Sequence, residues 1–420
     1  MKIALEVLSL IVAFLAVHTN AQLVSNISPN GVGVDEQHVP GTLSVDSDYD
    51  ERNLATQAIS SNARERQWPL VNEGVLGIAI VKVVMRRNGA SVVSRLYDEQ
   101  LYTDVHGYYE EDSNTVASQF NSCSFGNLTV EADSTNRIIH EVNLPGTVDD
   151  YIAPGGAVRW DLFYSNIEEE LDQTTNVTMN SNITNIIVVV PIDVQLGNRD
   201  GMPIDVMSKK YLILDDFSWN LFNLMHGLGR QIGLSLSGDV NQETYGDASG
   251  YMGRQANPSL PPLSQPLGFR RCFNAAKSWQ LGWYSDKSVE LDLTAKAESF
   301  KISPVYNYNF PRESNIVTIA RIKLPSMPYD YYMMYNRAEE FNEHTSDYIN
   351  GLTIVKGAKN FQSSFVERAL YIYPTVWYND QVELMDFDTS GRKLRIKLKG
   401  FKNERPFNPR YLKIEVKVIG

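Results

Sequence analysis

The pattern of apolar and polar positions changes after about residue 286. Before that point, short β-rich runs alternate with segments of helical period, which indicates an α/β sheet. The predicted strands are 75–85, 125–130, 137–142, 185–191 and 211–214, and the predicted helices are 90–102 and 158–171. We therefore expect one α/β domain over residues 69–286.

Beyond residue 286, apolar and polar positions alternate in short runs separated by turn residues. The predicted strands are 317–324, 330–335, 370–373, 393–398 and 411–418. This spacing favours an antiparallel β-sandwich over residues 287–420. The fold class predicted for the whole chain is α+β.

The N-terminal pattern predicts secretion. Residues 1–21 combine Lys2, an apolar run from Val7 to Val17 and the small residue Ala21, which are the features of a signal peptide. No segment is long enough for a membrane span. Residues 22–68 are polar without an apolar period and read as a leader or linker. Four glycosylation sequons suit a secreted chain: Asn26, Asn127, Asn176 and Asn182.

Composition and charge narrow the class of protein. The chain has 420 residues, 43% of them hydrophobic, and a formal net charge of −12, so we expect a folded, monomeric protein that does not bind nucleic acid. Cys123 and Cys272 are the two cysteines, which excludes a cysteine-built zinc cluster. In an oxidising compartment they can pair, and the chain-entropy model then gives about 4 to 5 kcal/mol of stability.

Candidate chemistry lies in three neighbouring segments. Asp215 and Asp216 are N-cap candidates for a helix with near-3.6 apolar period, which contains His-Gly-Leu-Gly-Arg-Gln-Ile-Gly-Leu-Ser-Leu over residues 226–236. A turn, Gly-Asp-Ala-Ser-Gly-Tyr-Met, follows at 246–252, and then Phe-Asn-Ala-Ala-Lys-Ser-Trp-Gln-Leu-Gly-Trp-Tyr at 273–284. Together these segments resemble the gametolysin family of secreted zinc metallopeptidases, in the metzincin clan.

The resemblance implies a metzincin-like peptidase domain and a motif His-Glu-x-x-His-x-x-Gly-x-x-His, in which three histidines hold zinc and the glutamate is the general base. In this chain His226 matches the first ligand and Gly233 the turning glycine. The base position is Gly227, and the other two ligand positions are Arg230 and Leu236. The family's Met-turn matches Gly246, Asp247, Ser249 and Met252.

These replacements predict that zinc is lost and that no cofactor is bound. Arginine keeps its positive charge in a protein, and leucine has no donor atom. A catalytic zinc site normally has three protein ligands. Sequence alone does not bring another histidine to His226, since the remaining candidates are scattered: His38, His106, His140 and His344.

Two arrangements of Arg230 are open. The guanidinium can replace the metal and pair with Asp247 or Glu243, since a buried cation needs a carboxylate partner. Alternatively, the long side chain can reach solvent through the former cleft.

Other features favour structural roles. Asp247 and Ser249 fit the hydrogen bonds of a turn better than a triad with His226, because no Gly-x-Ser-x-Gly elbow is present. Trp279 and Trp283 lie four residues apart and are expected in the core. The basic stretch 392–402 alternates with apolar residues and predicts a solvated outer face or an edge strand.

The sequence therefore favours a secreted, inactive gametolysin-like homologue that binds extracellular glycoprotein or cell-wall matrix. One alternative is an active zinc metalloendopeptidase with unconventional ligands around His226. Another is a structural matrix component whose acidic, glycosylated surface matters more than its cleft.

Overall fold

The structure is a computed structural model that describes residues 70–108, 112–132, 139–154, 158–174, 184–191, 211–241, 243, 245–254, 270–293, 297–309, 315–361, 363–370, 380–405 and 408–420. The predicted signal peptide and leader lie outside these residues, as do Asn26, Asn176 and Asn182. Asn127 is exposed. No helix in the described ranges is long and apolar enough to cross a membrane.

The first sheet is built around one long strand, β1 (Gly74–Arg87). It has six strands, with the order β2-β1-β5-β6, and β3 and β4 pair with successive parts of β1. All pairings are parallel except that of β2 with β1. The other strands are β2 (Ala90–Val92), β3 (Leu128–Ala132), β4 (His140–Asn143), β5 (Asn185–Val190) and β6 (Tyr211–Asp215).

Helices cover both faces of this sheet, because its strands are apolar on both sides. The helices are α1 (Asp98–His106), α2 (Val116–Ser124), α3 (Trp160–Thr174), α4 (Leu221–Gln231) and α5 (Ala275–Leu281). Helix α3 packs on the face that contains Val81 and Val188. The other four helices share the core on the opposite face, with Ile80 and Ile187.

The prediction for residues 90–102 was wrong in part. Asn88 and Gly89 both have positive φ, and Arg87 lies opposite Ala90, so the chain turns back as a β-hairpin before α1 begins at Asp98. An Asn-Gly pair between strands is a strong hairpin signal, since both residues tolerate positive φ. The segment 90–92 is therefore a strand rather than the start of a helix.

Two further sheets contain most of the chain after residue 286. One has the order β7-β14-β13-β12-β11-β8 and the other the order β10-β9-β17-β16-β15. The first consists of β7 (Ser237–Gly238), β8 (Ser288–Leu291), β11 (Ile319–Ile322), β12 (Tyr329–Asn336), β13 (Gly351–Ala358) and β14 (Ser364–Leu370). The second consists of β9 (Glu298–Ile302), β10 (Ile316–Val317), β15 (Gln381–Met385), β16 (Lys393–Arg405) and β17 (Asn408–Ile419). Residues of both sheets form one hydrophobic core.

The two predicted domains are closely joined. Strand β7 comes from the segment directly after α4, yet it pairs with β14. The core beneath α4 also includes Val305, Tyr332 and Val355 from beyond residue 286. Residues 56–420 form a single compact unit. The mixture of helices and sheets is consistent with the predicted α+β class, and the boundary at residue 286 stays a prediction.

Candidate functional site

Helix α4 carries the motif positions His226, Gly227 and Arg230 and is buried on almost every side. Its N-cap is Asn220, whose side-chain oxygen accepts a hydrogen bond from the backbone N–H of Asn223 at 2.9 Å. The predicted cap residues have other roles. Asp215 accepts hydrogen bonds from the turn residue Ser218, and Asp216 accepts them from Ser94 and Arg95.

The position of the general base has no room for a side chain. A Cβ atom added to Gly227 would lie 2.2 Å from Cδ1 of Leu212, a buried residue of β6. A Cβ on Gly229, on another side of the helix, would lie 2.6 Å from Sδ of Met252. Helix α4 is thus wedged between the sheet and the Met-turn, and its glycines allow that close packing.

We expect Gly227→Ala to lower the free energy of unfolding by about 1 to 3 kcal/mol, because the new methyl group overlaps Leu212 in a packed core. Elsewhere in a helix the same exchange is stabilising or neutral. Urea denaturation of Gly227→Ala, Leu212→Ala and the double variant measures the coupling. Additive losses, or a more stable Gly227→Ala protein, would contradict the steric explanation.

The imidazole of His226 is buried, with 4% of its surface exposed. Its Nδ1 lies 2.8 Å from the backbone oxygen of Tyr251. A carbonyl only accepts hydrogen bonds, so Nδ1 carries the proton in neutral His226. The ring also lies near the rings of Phe222 and Tyr245, at centroid distances of 5.9 and 6.0 Å.

Arg230 and Leu236 do not complete a metal site with His226. Both are half-buried, and Nη1 of Arg230 donates a hydrogen bond to the backbone oxygen of Leu234 at 3.3 Å. The ion pair of Arg230 with an acidic neighbour such as Asp247 or Glu243 stays a prediction: Asp247 binds other groups, and Glu243 is exposed. Gly233 has a φ of 102°, so it turns the chain out of the helix as predicted.

The carboxylate of Asp247 organises the Met-turn. It is fully buried and accepts hydrogen bonds from Ser237 Oγ at 2.7 Å, from Asn274 Nδ2 at 2.8 Å, and from the backbone N–H and hydroxyl of Ser249 at 2.7 and 2.5 Å. Ser364 extends this network by donating to Ser237. Asp247 is therefore a structural carboxylate, and the described contacts form no triad of Asp247, Ser249 and His226.

A different arginine, which the sequence pattern did not single out, supplies the buried cation near the Met-turn. Arg271 is fully buried, its guanidinium lies 4.6 Å from the ring centroid of Phe222, and its Nη1 donates to the backbone oxygen of Ala248 at 2.6 Å. Burial lowers the pKa of Arg271 to about 10 and raises the pKa of Tyr251. The sequence signal that could have indicated its burial is its position directly before Cys272.

A segment from beyond residue 286 covers the Met-turn. The carboxylate of Asp347 accepts a hydrogen bond from the backbone N–H of Ala248 at 3.0 Å, and Thr345 donates to the backbone oxygen of Ser249 at 3.2 Å. Burial raises the pKa of Asp347, and the nearby charge of Asp247 adds to this effect. The Met-turn is thus held from both predicted domains.

Cys123 of α2 and Cys272 are joined by a disulfide, with their Cα atoms 5.6 Å apart and both side chains buried. The bond ties α2 to the segment that carries Arg271. The OH of Tyr284 donates a hydrogen bond to the backbone oxygen of Cys123 at 2.5 Å, so Tyr284 also holds the end of α2.

The remaining sequence candidates lie elsewhere in the fold. His106 is on α1 against Tyr102, His140 is in β4, and His344 accepts a hydrogen bond from the backbone N–H of Arg270. His38 lies outside the described residues. In the described ranges, no group of three or more His, Cys, Asp or Glu side chains is placed to hold a metal ion. Trp283 is buried, and half-buried Trp279 packs near Tyr332.

The family model described as gametolysin peptidase M11 matches residues 84–324, which is more than half of the chain. The chain belongs to the gametolysin family. The match includes α4, the Met-turn and the disulfide. A comparison with curated proteins gives no match.

The residues at the motif positions of this gametolysin-family chain do not fit a catalytic zinc ion. Two of the three ligand positions carry a guanidinium and a hydrocarbon, neither of which donates an electron pair to a metal. At the base position, Leu212 occupies the space that a side chain on Gly227 would need. What remains is a buried helix with one imidazole, held firmly against the Met-turn.

Proposed function

We propose that this gametolysin-family protein is a secreted pseudopeptidase that acts by binding. The observation that carries the proposal is the contact between Gly227 and Leu212. A glutamate at position 227 has no space for its first side-chain carbon, because Leu212 would lie 2.2 Å from it. The packing around position 227 therefore leaves no room for the side chain of a general base.

The partner that we propose is extracellular glycoprotein or cell-wall matrix, reached through the former cleft or through the β-rich part, which we propose is a sandwich. The resemblance to secreted matrix-directed peptidases suggests this class. A buried disulfide and an exposed sequon at Asn127 support an oxidising, extracellular location. The intact Met-turn network supports a fold that is retained for a purpose other than catalysis.

The test is metal analysis and a proteolysis assay on the purified, oxidised protein. We expect no tightly held zinc and no cleavage of a matrix glycoprotein, and we expect His226→Ala to change neither result. His140→Ala is the matched control, since it removes a half-buried histidine that lies in β4 and not on α4. Zinc at about one ion per chain, lost together with proteolysis in His226→Ala alone, would instead establish the rival function.

That rival is an active zinc endopeptidase with unconventional ligands. One observation favours it: the Nδ1 of His226 is oriented by a backbone carbonyl, as metal-binding histidines usually are. The rival needs at least two further donors beside this ring, and the metal analysis decides between the two functions directly.

A further inference from the structure

The outer face of the five-stranded sheet is strongly basic. On β16, buried Leu394, Ile396 and Leu398 alternate with cationic residues that point away from the core. Neighbouring strands continue the pattern, because residues opposite each other in register share a face. The basic face, as we call it, consists of Lys301, Lys393, Arg395, Lys397, Lys399, Lys413 and Lys417.

Like charges lie directly opposite each other on the basic face. Arg395 faces Lys417 across β16 and β17, and Lys413 faces Lys301 across β17 and β9. Such pairs bring Cβ atoms to about 5 Å and destabilise a sheet. The arrangement therefore needs an explanation other than stability.

Protection of a sheet edge does not provide that explanation. Strand β16 lies between β15 and β17, and β17 lies between β16 and β9, so both are interior strands. Lysines that guard against aggregation are needed on edge strands, whose N–H and C=O groups are unpaired. The sequence alternative of an edge strand for residues 392–402 is thus wrong, and the solvated outer face is what remains.

Acidic side chains neutralise only part of the basic face. Glu383 binds Arg395 at 2.7 Å, and Glu415 lies opposite Lys397 and binds Lys399 at 3.4 Å. Among the described residues, no salt bridge involves Lys393, Lys397, Lys413 or Lys417. Within the described ranges, these four lysines thus have no ion pair, although the formal net charge of the chain is −12.

We propose that the basic face binds a linear acidic polysaccharide through its sulfate or carboxylate groups. Along β16 the cations recur about every 6.6 Å, and the lysines of β17 and β9 lie on strands about 4.8 Å apart, which forms an extended array of charge suited to a polymer with repeating anions. Multiple exposed ion pairs, each weak alone, add along such a polymer.

The surface favours a polysaccharide over other polyanions. Single-stranded nucleic acid binds through aromatic side chains on which bases stack, but Tyr411, the aromatic residue beside Lys301, is only 5% exposed. An anionic membrane would gain from apolar residues that insert. Among the described side chains of the five-stranded sheet, Met385 at the rim is the one large apolar residue that is exposed. The inference is independent of the degenerate motif, so its failure would leave the proposed loss of catalysis untouched.

The test compares the full oxidised chain with a double variant, Lys413→Glu with Lys417→Glu, by calorimetric titration of heparin and of polygalacturonate at low salt. We expect wild type to bind at least one of the two, and the double variant to bind it at least tenfold more weakly. Binding should weaken as salt rises. The exchange Lys413→Arg with Lys417→Arg should keep the affinity.

The matched control is Arg86→Glu with Arg95→Glu, which makes the same change of net charge at exposed residues of the first sheet and the loop after it. Equal losses in both double variants would show a non-specific charge effect and overturn the proposal. The proposal would also be overturned if the wild-type protein bound neither polysaccharide. The same holds if it bound a single-stranded oligonucleotide or phosphatidylserine vesicles more tightly than it bound heparin and polygalacturonate.

Discussion

Asp247→Ala is expected to lower the free energy of unfolding by about 3 to 5 kcal/mol, because four donors would lose their acceptor inside the protein. Ser237 and Asn274 are buried, at 0% and 5% exposure, so bulk water is a poor replacement for the carboxylate. The loss should appear as a lower urea midpoint. Since Asn274 also caps α5, we expect exchange of the amide protons in that helix to accelerate.

Asp149→Ala is the control, since it deletes the same group from an exposed position. Its free energy of unfolding should stay within about 0.5 kcal/mol of the wild-type value. If Asp247→Ala were as stable as this control, Asp247 could not hold the Met-turn as described.

Removal of the disulfide is expected to have an effect of similar size. The bond joins residues 149 positions apart, and the chain-entropy model gives about 5 kcal/mol for a loop of that length. The variant Cys123→Ala with Cys272→Ala should therefore unfold at much lower urea concentration than the oxidised protein. Alanine is smaller than the half-cystine it replaces and causes no steric overlap. The main change is therefore the conformational entropy gained by the unfolded chain.

Reduced wild type separates this effect from any cavity left by the missing sulfur atoms. Alkylation of the free thiols followed by chromatography first establishes that both cysteines are reduced. The urea midpoint of the reduced wild type is then compared with that of the double variant. The two should nearly coincide. Identical stability of oxidised and reduced wild type would count against a cross-link that constrains the unfolded state.

Much of the first sheet could be predicted from the sequence, because its central strands are apolar on both faces. Residues 185–190 form β5 within one residue of the prediction, and 211–215 form β6. The hairpin at Asn88 was missed because the apolar period of the following segment imitates a helix. Strand β13 was missed because it is buried on both sides and lacks the alternation that marks a half-exposed strand.

The candidate site was predictable at the level of its positions but not of its contacts. The resemblance to the gametolysin family located His226, Gly233 and the Met-turn. The contacts of Asp247 were not predicted, because two of the residues that bind it, Ser237 and Asn274, come from segments 37 positions apart. A single sequence carries no signal for such pairing, and charge alone suggested an arginine.

The pairing of β7 with β14 sets an order for events during synthesis. The hydroxyls of Ser237 and Ser364 meet across 127 positions, so the segment after α4 has no partner strand until those positions have been translated. At ordinary ribosomal speed the delay is about 6 to 25 s. During that interval the nascent chain exposes unfinished apolar surface around α4, which makes it a natural client for chaperones until its C-terminal half emerges.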